Sequence, residues 1–577
     1  MQNTQPGNPV KDKWRGKFLP ILLILSAWFL VNLLQGAFTG LFDDEALFWM
    51  YGQRLSWGYY EHPPMVGLMI RTGYEIFHNE LGLRLFFVIG STLSIYLMMR
   101  LAEVKDYLLF AALCFSVLIM HIGGFIAAPD GSLFLFILFY FLLYKKYLEN
   151  DSPWLAILWG FVMAAMIYSK YNGILVIILT LLSNPSLLKR RTFYLAAASA
   201  VLFFIPHIIW SFRLSFPTVY YHLVERTFIS YDMLKGFLEF IPGQILLYGP
   251  LVSLFFFWYT LRFKPKDLFE RSLKFTAIGV MVFFLLYTFR ANVEANWTLP
   301  ALAPMILLTY KSVEQNLRVR RIILPLALVS MAIFLFFRIY LIHDFLGLPR
   351  KTVNLSELYG WDEWTREMKK RAEGKPVVIL DSYQRASKYS FYSGETANSL
   401  DECDVHRTQF WYWMDLEQRH QGRPVFIAHF MPWIKIPGGS SFTGKNGITT
   451  YYGTRDNFRS FYRVPLRVMN RELDFPAGRE VEILVRIINP DKGVLRFDQD
   501  PTQQSFLTYH IFRDGAFIDQ FHETMEISKM VIPGESADTV IRLKTPDKPG
   551  DYYFWVSIQT GWLPPAKNDY IHIMKIR

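Results

Sequence analysis

The chain has 577 residues, of which 52% are hydrophobic and 17% aromatic, and its formal net charge is +11. This apolar content is high for a water-soluble protein. The basic residues lie mostly in short loops between apolar runs, where the positive-inside rule accounts for them, so the charge does not indicate nucleic-acid binding. Two cysteines cannot build a disulfide framework.

The first apolar run, near residues 19–38, is long enough to cross a bilayer. It lacks a small-residue cleavage site, so we predict a retained signal-anchor. Three carboxylates, Asp43, Asp44 and Glu45, follow it. These groups cannot lie in lipid, and ionisable groups at a membrane boundary usually mark chemistry or transport. An aromatic-rich stretch then leads to Glu61 and His62, which two prolines follow.

Further apolar runs continue to residue 342, whereas residues 345–577 have the composition of a water-soluble protein. The runs lie near residues 84–101, 107–126, 132–148, 153–169, 171–185, 193–212, 238–261, 274–289, 297–311 and 322–342. Together with the first run they predict about eleven transmembrane helices. The short segment 64–78 carries Arg71 and Glu75, so we predict an interfacial helix there.

The distribution of basic loops predicts the orientation. With eleven spans, all the basic loops fall on one side, which the positive-inside rule makes cytoplasmic. The N-terminus is then inside, and residues 345–577 lie outside. The conspicuous polar residues near span ends collect on the outer face, which favours an active or transport site there. They include Asp43, Asp44, Glu45, Glu61, His62, Asp130, Lys170, Arg213, Glu294 and Asn296.

Residues 345–577 divide into two regions with different sequence patterns. Residues 356–373 have the pattern of an amphipathic helix, and PVVILDS and RPVFIAHFM are typical of short buried strands, so we predict a small α/β domain over 345–461. From 462 the pattern alternates without helical period. Segments EVEILVRIINP, QSFLTYHIFRDG, SADTVIRLKTP and DYYFWVSIQTG are separated by turn residues, which predicts an immunoglobulin-like β-sandwich over 462–577.

The outer polar residues suit sugar transfer from a lipid phosphate. A carboxylate must accept the proton of an attacking hydroxyl, and cationic groups must stabilise the departing phosphate. Asp44 is the candidate base. His62, Lys170 and Arg213 are candidates for phosphate binding, and all of them lie at the predicted membrane boundary.

Residues 43–64, DDEALFWMYGQRLSWGYYEHPP, resemble the first outer loop of the GT-C glycosyltransferases. More narrowly, they resemble the bacterial dolichyl-phosphate-mannose protein mannosyltransferase and lipid A aminoarabinose transferase group. Pro129-Asp130, at the start of a later helix, is similar to the family's second acidic site. Lys170 with Gly173 and the segment Glu294–Pro300 match further family elements in order. The resemblance covers residues 15–345. His62 stands where some relatives have lysine, and Lys170 is not followed directly by glycine.

The resemblance implies a GT-C domain over 1–344 and a set of site residues. We assign catalytic roles to Asp44, Glu45 and Asp130. The residues assigned to donor-phosphate or substrate binding are Tyr60, Glu61, His62, Lys170, Arg213, Glu294 and Asn296. Structural alternatives stay open for five of these residues and for the neighbouring Asp43. These are Asp43 as a solvated neighbour, Glu45 as a loop-positioning residue, Asp130 as a helix cap, His62 in a turn, Lys170 as a snorkelling lysine and Arg213 as an interfacial anchor. The many aromatic residues are for the most part expected to face lipid or to form interfacial belts.

The implied function is that of an inverting glycosyltransferase in the bacterial inner membrane. It moves one sugar from a polyprenyl-phosphate donor to a hydroxyl of protein Ser/Thr or of a cell-envelope glycan on the extracytoplasmic face. One alternative is an aminoarabinose-type transferase acting on lipid A or another glycolipid. An alternative of a different class is a lipid-linked sugar transporter or flippase. No cofactor is expected, because cationic side chains can neutralise a monophosphate, although carboxylates could hold Mg²⁺ or Mn²⁺.

Overall fold

The structure is a computed structural model, and it describes residues 9–222, 231–347, 355–400, 407–489, 493–497, 503–513, 516–523 and 530–577. The chain forms two compact units. Met1–Thr218 and Tyr231–Leu358 make up the first, which we call the helical unit. Val219–Ser230 and Tyr359–Arg577 make up the second, which we call the C-terminal unit.

The predicted apolar runs of the helical unit all contain helices. The longer helices before residue 345 are Pro9–Phe38, Asp43–Gln53, Met65–Tyr74, Glu80–Ala102, Tyr107–Phe115, Leu118–Gly123, Pro129–Glu149, Pro153–Ser169, Gly173–Ser183, Arg191–Arg213, Met233–Leu247, Ser253–Arg262, Leu268–Tyr287, Leu302–Val313 and Leu317–Ile342, with shorter turns at Pro185–Lys189, Pro217–Tyr220 and Ala295–Ala301. The segment 64–78, predicted as an interfacial helix, contains the helix Met65–Tyr74. Its position at the membrane interface stays a prediction.

Within the described residues, five helices are long and apolar enough to cross a membrane: Phe18–Phe38, Glu80–Ala102, Pro129–Glu149, Arg191–Arg213 and Leu317–Ile342. Several of them expose large apolar side chains, such as Leu23 and Leu202. Exposed apolar helix faces of this kind are what a lipid environment requires, because lipid solvates them and the backbone is satisfied within the helix. The multi-pass membrane character predicted from the sequence is therefore supported, while the count of eleven spans and the direction of the termini stay predictions.

Two predicted spans are broken at the place where they touch. The run 107–126 is interrupted at Ser116, and the run 238–261 is interrupted at Gly249. Gly249 has φ +96°, and a Cβ added there would lie 2.3 Å from the carbonyl oxygen of Ser116. Only glycine adopts that backbone conformation readily and leaves room for so close a backbone contact. The break is thus a consequence of tertiary packing.

The C-terminal unit begins with an α/β layer. Its first sheet contains β1 (Val377–Leu380), β2 (Asn398–Leu400), β3 (Val425–His429), β4 (Ser440–Thr443) and β5 (Thr449–Arg455) in the order β2-β1-β3-β5-β4. Strand β1 is parallel to β2 and β3, whereas β5 is antiparallel to β3 and β4. The helices of this layer are Trp361–Ala372, Tyr383–Ser393, Gln409–Tyr412 and Met414–Gln418.

The rest of the C-terminal unit is built from strands. These are β6 (Leu466–Val468), β7 (Leu473–Phe475), β8 (Glu480–Ile488), β9 (Leu495–Arg496), β10 (Ser505–Arg513), β11 (Ala516–Glu523), β12 (Met530–Val531), β13 (Ser536–Lys544), β14 (Gly550–Thr560) and β15 (His572–Ile576). One sheet has the order β11-β10-β14-β15-β7 and another β13-β8-β6, and β12 pairs with β9. Buried residues alternate along β8, where Val485 and Ile487 share one apolar core with Ile511 and Phe554 of the other sheet.

The four strand segments predicted from residue 462 onwards are confirmed as β8, β10, β13 and β14. Two sheets that share a core form a β-sandwich arrangement. The helical core followed by a β-rich region agrees with the predicted fold class. The immunoglobulin-like topology and the domain boundaries at 344/345 and 461/462 stay predictions.

A test of the helical packing uses Gly160. A Cβ added at Gly160 would lie 2.2 Å from the carbonyl oxygen of Ala196 in the neighbouring helix. We expect Gly160→Ala to force these helices apart at a cost of about 1–3 kcal/mol and to lower the melting temperature of the detergent-solubilised protein. Gly123→Ala is the control, because a Cβ there meets nothing within 4 Å. Equal melting temperatures for the two variants would contradict this close contact.

Candidate active site

The acidic cluster forms the first turn of the helix Asp43–Gln53. Carboxylates are favoured there because the helix N-terminus carries a partial positive charge and unpaired backbone N–H groups. The backbone N–H of Phe42 donates to Oε2 of Glu45 at 3.1 Å, which fixes the entry of the chain into the helix. The three adjacent carboxylates nevertheless have different surroundings.

Glu45 is buried against Arg84, which lies in the helix Glu80–Ala102. Arg84 Nε donates to Glu45 Oε1 at 2.8 Å, and Arg84 Nη2 donates to Glu45 Oε2. The remaining guanidinium donors reach backbone carbonyls at the end of the first helix: Nη1 to Gly36 and Thr39 at 3.1 and 2.5 Å, and Nη2 to Gly40 at 2.8 Å. The ion pair therefore connects the first helix, the acidic turn and the helix of Arg84.

Glu45 also accepts a hydrogen bond from further along the chain. The backbone N–H of Ala127 donates to Glu45 Oε1 at 2.9 Å. Ala127 lies just before the helix Pro129–Glu149, and Pro129 at its first position is well suited to begin a helix. Glu45 thus holds the start of the helix that carries Asp130. Because its oxygens accept from Arg84, Phe42 and Ala127, its geometry favours the positioning role over contact with substrate.

Three predicted site residues meet at Asp130. Lys170 Nζ lies 2.9 Å from both carboxylate oxygens of Asp130, and Asn296 Nδ2 donates to Asp130 Oδ2 at 3.0 Å. Lys170 stands directly after the helix Pro153–Ser169, and Asn296 lies in the turn Ala295–Ala301. The side chains of Lys170 and Asp130 are 11% and 16% exposed, so the pair is only partly shielded from solvent.

Of the three carboxylate residues in the acidic turn, Asp44 is the exposed one. Enclosure by the surrounding protein is the main reason that its pKa is raised to about 6. Repulsion from Asp43, Glu357 and Glu294 acts in the same direction. Asp44 can be exposed and still have a raised pKa. Its exposed surface reflects direct contact with water, whereas its pKa also responds to protein atoms and charges farther away.

Glu357 and Glu294 connect Asp44 with distant parts of the chain. The backbone N–H of Asp43 donates to Glu357 Oε1 at 2.7 Å, and Glu294 lies directly before the turn that carries Asn296. Asn296 contacts Asp130, and Glu294, two residues earlier in the chain, helps to raise the pKa of Asp44. Glu357 has no signal of its own in the sequence, because it is separated from Asp43 by 314 residues and lies outside the apolar runs.

The aromatic stretch after the acidic helix is packed more tightly than the sequence predicts. Tyr51 OH donates to Glu61 Oε2 at 2.6 Å, and the rings of Tyr51 and Tyr59 stack with centroids 3.8 Å apart. Tyr60 is buried, and the carbonyl oxygen of His62 accepts from the N–H of Tyr59 at 2.9 Å. Tyr60 and Glu61 are therefore parts of a packed loop.

His62 is half-buried, with its ring 5.4 Å from that of Phe48. Arg213 is exposed in the last turn of the helix Arg191–Arg213, and the contacts found among the described residues do not join it to Asp44 or Asp130. The same helix instead contributes His207, whose Nδ1 lies 2.7 Å from the carbonyl oxygen of Trp57. This contact anchors the aromatic loop.

Two residues that hold the site together were missed by the sequence analysis. Arg84 appears in the sequence only as a charge at the start of an apolar run, and that isolated charge is the signal that would have identified it. His207 lies inside an apolar run and likewise has no motif of its own. Across the ranges that the structure describes, no three side chains of metal-binding type converge, and the expectation that no cofactor is needed stays a prediction.

Known proteins are similar to this chain in sequence. A family model described as dolichyl-phosphate-mannose-protein mannosyltransferase matches residues 61–210. The lipid A galacturonosyltransferase RgtD of Rhizobium johnstonii is 25% identical over 386 residues, which are 63% of this chain and 80% of RgtD.

Crystal structures of ArnT from Cupriavidus metallidurans are similar in fold. The apo structure aligns with a TM-score of 0.59 and the structure bound to undecaprenyl phosphate with 0.58, each at 13% identity and covering 75% of this chain and 97% of ArnT. The resemblance to the GT-C glycosyltransferases that was expected from residues 43–64 is confirmed by these matches together.

The buried ion pair gives a test of the positioning role. Glu45→Gln preserves the shape of the side chain but leaves the charge of Arg84 buried without its partner, which costs about 3–5 kcal/mol. We expect a clearly lower melting temperature for the solubilised protein. The control is Glu75→Gln, because the Arg71–Glu75 pair is 40% and 52% exposed and an exposed pair contributes about 0–1 kcal/mol. Similar losses in both variants would argue against a structural role for Glu45.

Proposed function

We propose that this chain transfers a single sugar from a polyprenyl-phosphate donor to a hydroxyl group of lipid A, on the extracytoplasmic face of the bacterial inner membrane. The observation that carries the proposal is the environment of Asp44. Asp44 is an exposed residue, and enclosure by the protein together with neighbouring carboxylates raises its pKa to about 6. A carboxylate of that kind suits a general base better than an ordinary aspartate does, because it binds a proton more strongly while remaining ionised at neutral pH.

In the proposed reaction Asp44 accepts the proton of the acceptor hydroxyl as its oxygen attacks the anomeric carbon of the sugar. The bond between that carbon and the phosphate oxygen breaks, and the electron pair leaves with the phosphate. A single displacement of this kind inverts the configuration at the anomeric carbon. Asp43 and Glu45 are weaker candidates for the base, since Asp43 is less exposed and Glu45 is buried and bound to Arg84.

We assign Asp130 a positioning role in this reaction. It contacts Lys170 through both oxygens and accepts a hydrogen bond from Asn296. It therefore fixes the ammonium and amide groups that would contact the sugar or its phosphate. Since Asp130 offsets the charge of Lys170, the departing phosphate requires further cations, and His62 and Arg213 remain the proposed contributors.

The proposed donor and the proposed acceptor are each supported by a different known protein. A polyprenyl-phosphate donor is supported by the similar fold of ArnT bound to undecaprenyl phosphate. A lipid A acceptor is supported by the similarity to RgtD, named as a lipid A galacturonosyltransferase. A second candidate acceptor is a protein hydroxyl, which the description of the matching family model favours.

The first test measures sugar transfer in proteoliposomes. The donors supplied to the wild-type protein are undecaprenyl phosphates that carry a radiolabelled hexose, hexuronate or aminopentose. The acceptor is lipid A or a Ser/Thr-rich peptide. Asp44→Asn removes the base and preserves shape, so we expect transfer to fall by about 10²–10⁴-fold while donor binding is retained.

The control for this test is Asp344→Asn. Asp344 is exposed, and an asparagine there can still accept the hydrogen bond that Gly347 N–H donates to Oδ1. If sugar is transferred to the peptide and not to lipid A, the acceptor in the proposal becomes a protein hydroxyl. Movement of intact donor across the membrane without transfer to either acceptor would instead establish the transporter function. Full activity in Asp44→Asn would assign the base to another carboxylate.

The pKa of Asp44 predicts how the rate depends on pH. The ionised form is the base, and a pKa raised to about 6 means that the form is lost as the pH falls through 6. We expect kcat/KM to decrease below about pH 6, by about tenfold per pH unit. Asp43→Asn removes the nearest carboxylate that raises the pKa, so it should move this acidic limb to lower pH. An acidic limb unchanged by Asp43→Asn would contradict the assignment.

A further inference from the structure

The C-terminal unit contains an open cleft with a cavity volume of about 670 Å³. Its walls come from the helix Met414–Gln418, residues 459–464 and residues 493–496. We call it the arginine cleft, because Arg459, Arg463 and Arg496 line it. Its volume lies within the usual range of a small-ligand site, about 300–1,000 Å³, and its open side lets a longer ligand of several sugar rings extend beyond it.

Arg463 makes its polar contacts within the protein. Its Nε donates to the carbonyl oxygen of Phe410 at 2.8 Å, its Nη2 donates to Asn398 Oδ1 at 2.7 Å, and its Nη1 lies 3.7 Å from Glu417 Oε2. Glu417, the one carboxylate among the described residues that line the cleft, is buried and accepts from the backbone N–H of Arg463 at 3.1 Å. The charges of Arg463 and Glu417 therefore offset one another.

Arg459 and Arg496 are different. Their side chains make no hydrogen bond or ion pair with the residues that the structure describes, and the Nε of Arg459 is buried without an acceptor. Arg496 is exposed in β9. The described walls of the cleft thus carry two positive charges without counter-charges. Guanidinium groups are geometrically suited to bind phosphate and carboxylate, so these two charges favour an anionic ligand.

The remaining lining is suited to a polar ligand with apolar faces. Gln418 is an exposed polar residue, and Val494, which is 42% exposed, adds an apolar side chain to the lining. Sugar rings combine hydroxyl groups with apolar C–H faces. We propose that the arginine cleft binds an anionic saccharide, with Arg459 and Arg496 contacting its phosphate or carboxylate groups. The choice of a saccharide over other anions rests on the proposed function.

The experiment measures binding to the full-length protein in nanodiscs by isothermal titration calorimetry, without donor. The probes are tetragalacturonate, which carries carboxylates, a glucosamine disaccharide 1,4′-bisphosphate, and neutral maltotetraose. We expect at least one anionic probe to bind about tenfold or more tightly than maltotetraose, with an affinity that falls as salt is added. Binding of only one anionic probe identifies carboxylate or phosphate as the recognised group.

The variant Arg459→Gln/Arg496→Gln should weaken this binding by about tenfold or more. Arg467→Gln is the matched control, because Arg467 is an exposed arginine of the same unit outside the cleft. If the double variant does not fold, Arg496→Gln alone serves as the test, because it changes an exposed side chain, and it should also bind more weakly than wild type.

Two results would overturn the proposal: no preference for either anionic probe over maltotetraose, or wild-type affinity in the folded double variant and in Arg496→Gln. Failure of binding would leave the transfer result intact, and failure of transfer would leave the binding result intact, so the two proposals are tested separately.

Discussion

The buried ion pair between Glu45 and Arg84 is the interaction on which the outer end of the helical unit depends. It joins the end of the first helix, the acidic turn, the helix of Arg84 and the residues before Asp130. Removing two charges from water is costly, and the attraction between them compensates only when geometry is good and every remaining donor and acceptor is used. Both conditions are met here, because the guanidinium also donates to three backbone carbonyls. The pair therefore specifies one arrangement of these segments.

This constraint separates three neighbouring carboxylates into different chemical states. Glu45 faces inward and remains bound to Arg84, whereas Asp44 faces outward and has a pKa raised to about 6. Asp43 uses its backbone N–H to bind Glu357. Of the three adjacent carboxylates, Glu45 has a structural role, Asp44 is the candidate proton acceptor, and Asp43 connects the turn to Glu357. Successive residues of a helical turn point in different directions, which makes this division possible.

The sequence predicts this site in part. Asp130, Lys170 and Asn296 lie near the ends of apolar runs on one predicted face, and the structure brings them together. Their pairing was not predictable, because it depends on how helices separated by 40 and 166 residues pack. Tyr60 and Glu61 have the residue types of a binding loop, and their burial against Tyr51 depends on the folded shape of that loop. The breaks at Ser116 and Gly249 are likewise set by contact between two runs, which hydropathy along a single run does not record.

The hydrogen bond from Asp43 to Glu357 has a consequence for biosynthesis. Residue 43 leaves the ribosome 314 residues before its partner. At about 5–20 residues per second, the interval is roughly 16–63 s. During that interval the acidic turn can be held by Arg84 but lacks the carboxylate that follows the last long helix of the helical unit. The proposed reaction centre is therefore completed only when nearly the whole membrane-embedded part has been inserted, and a prematurely terminated chain has no means of assembling it.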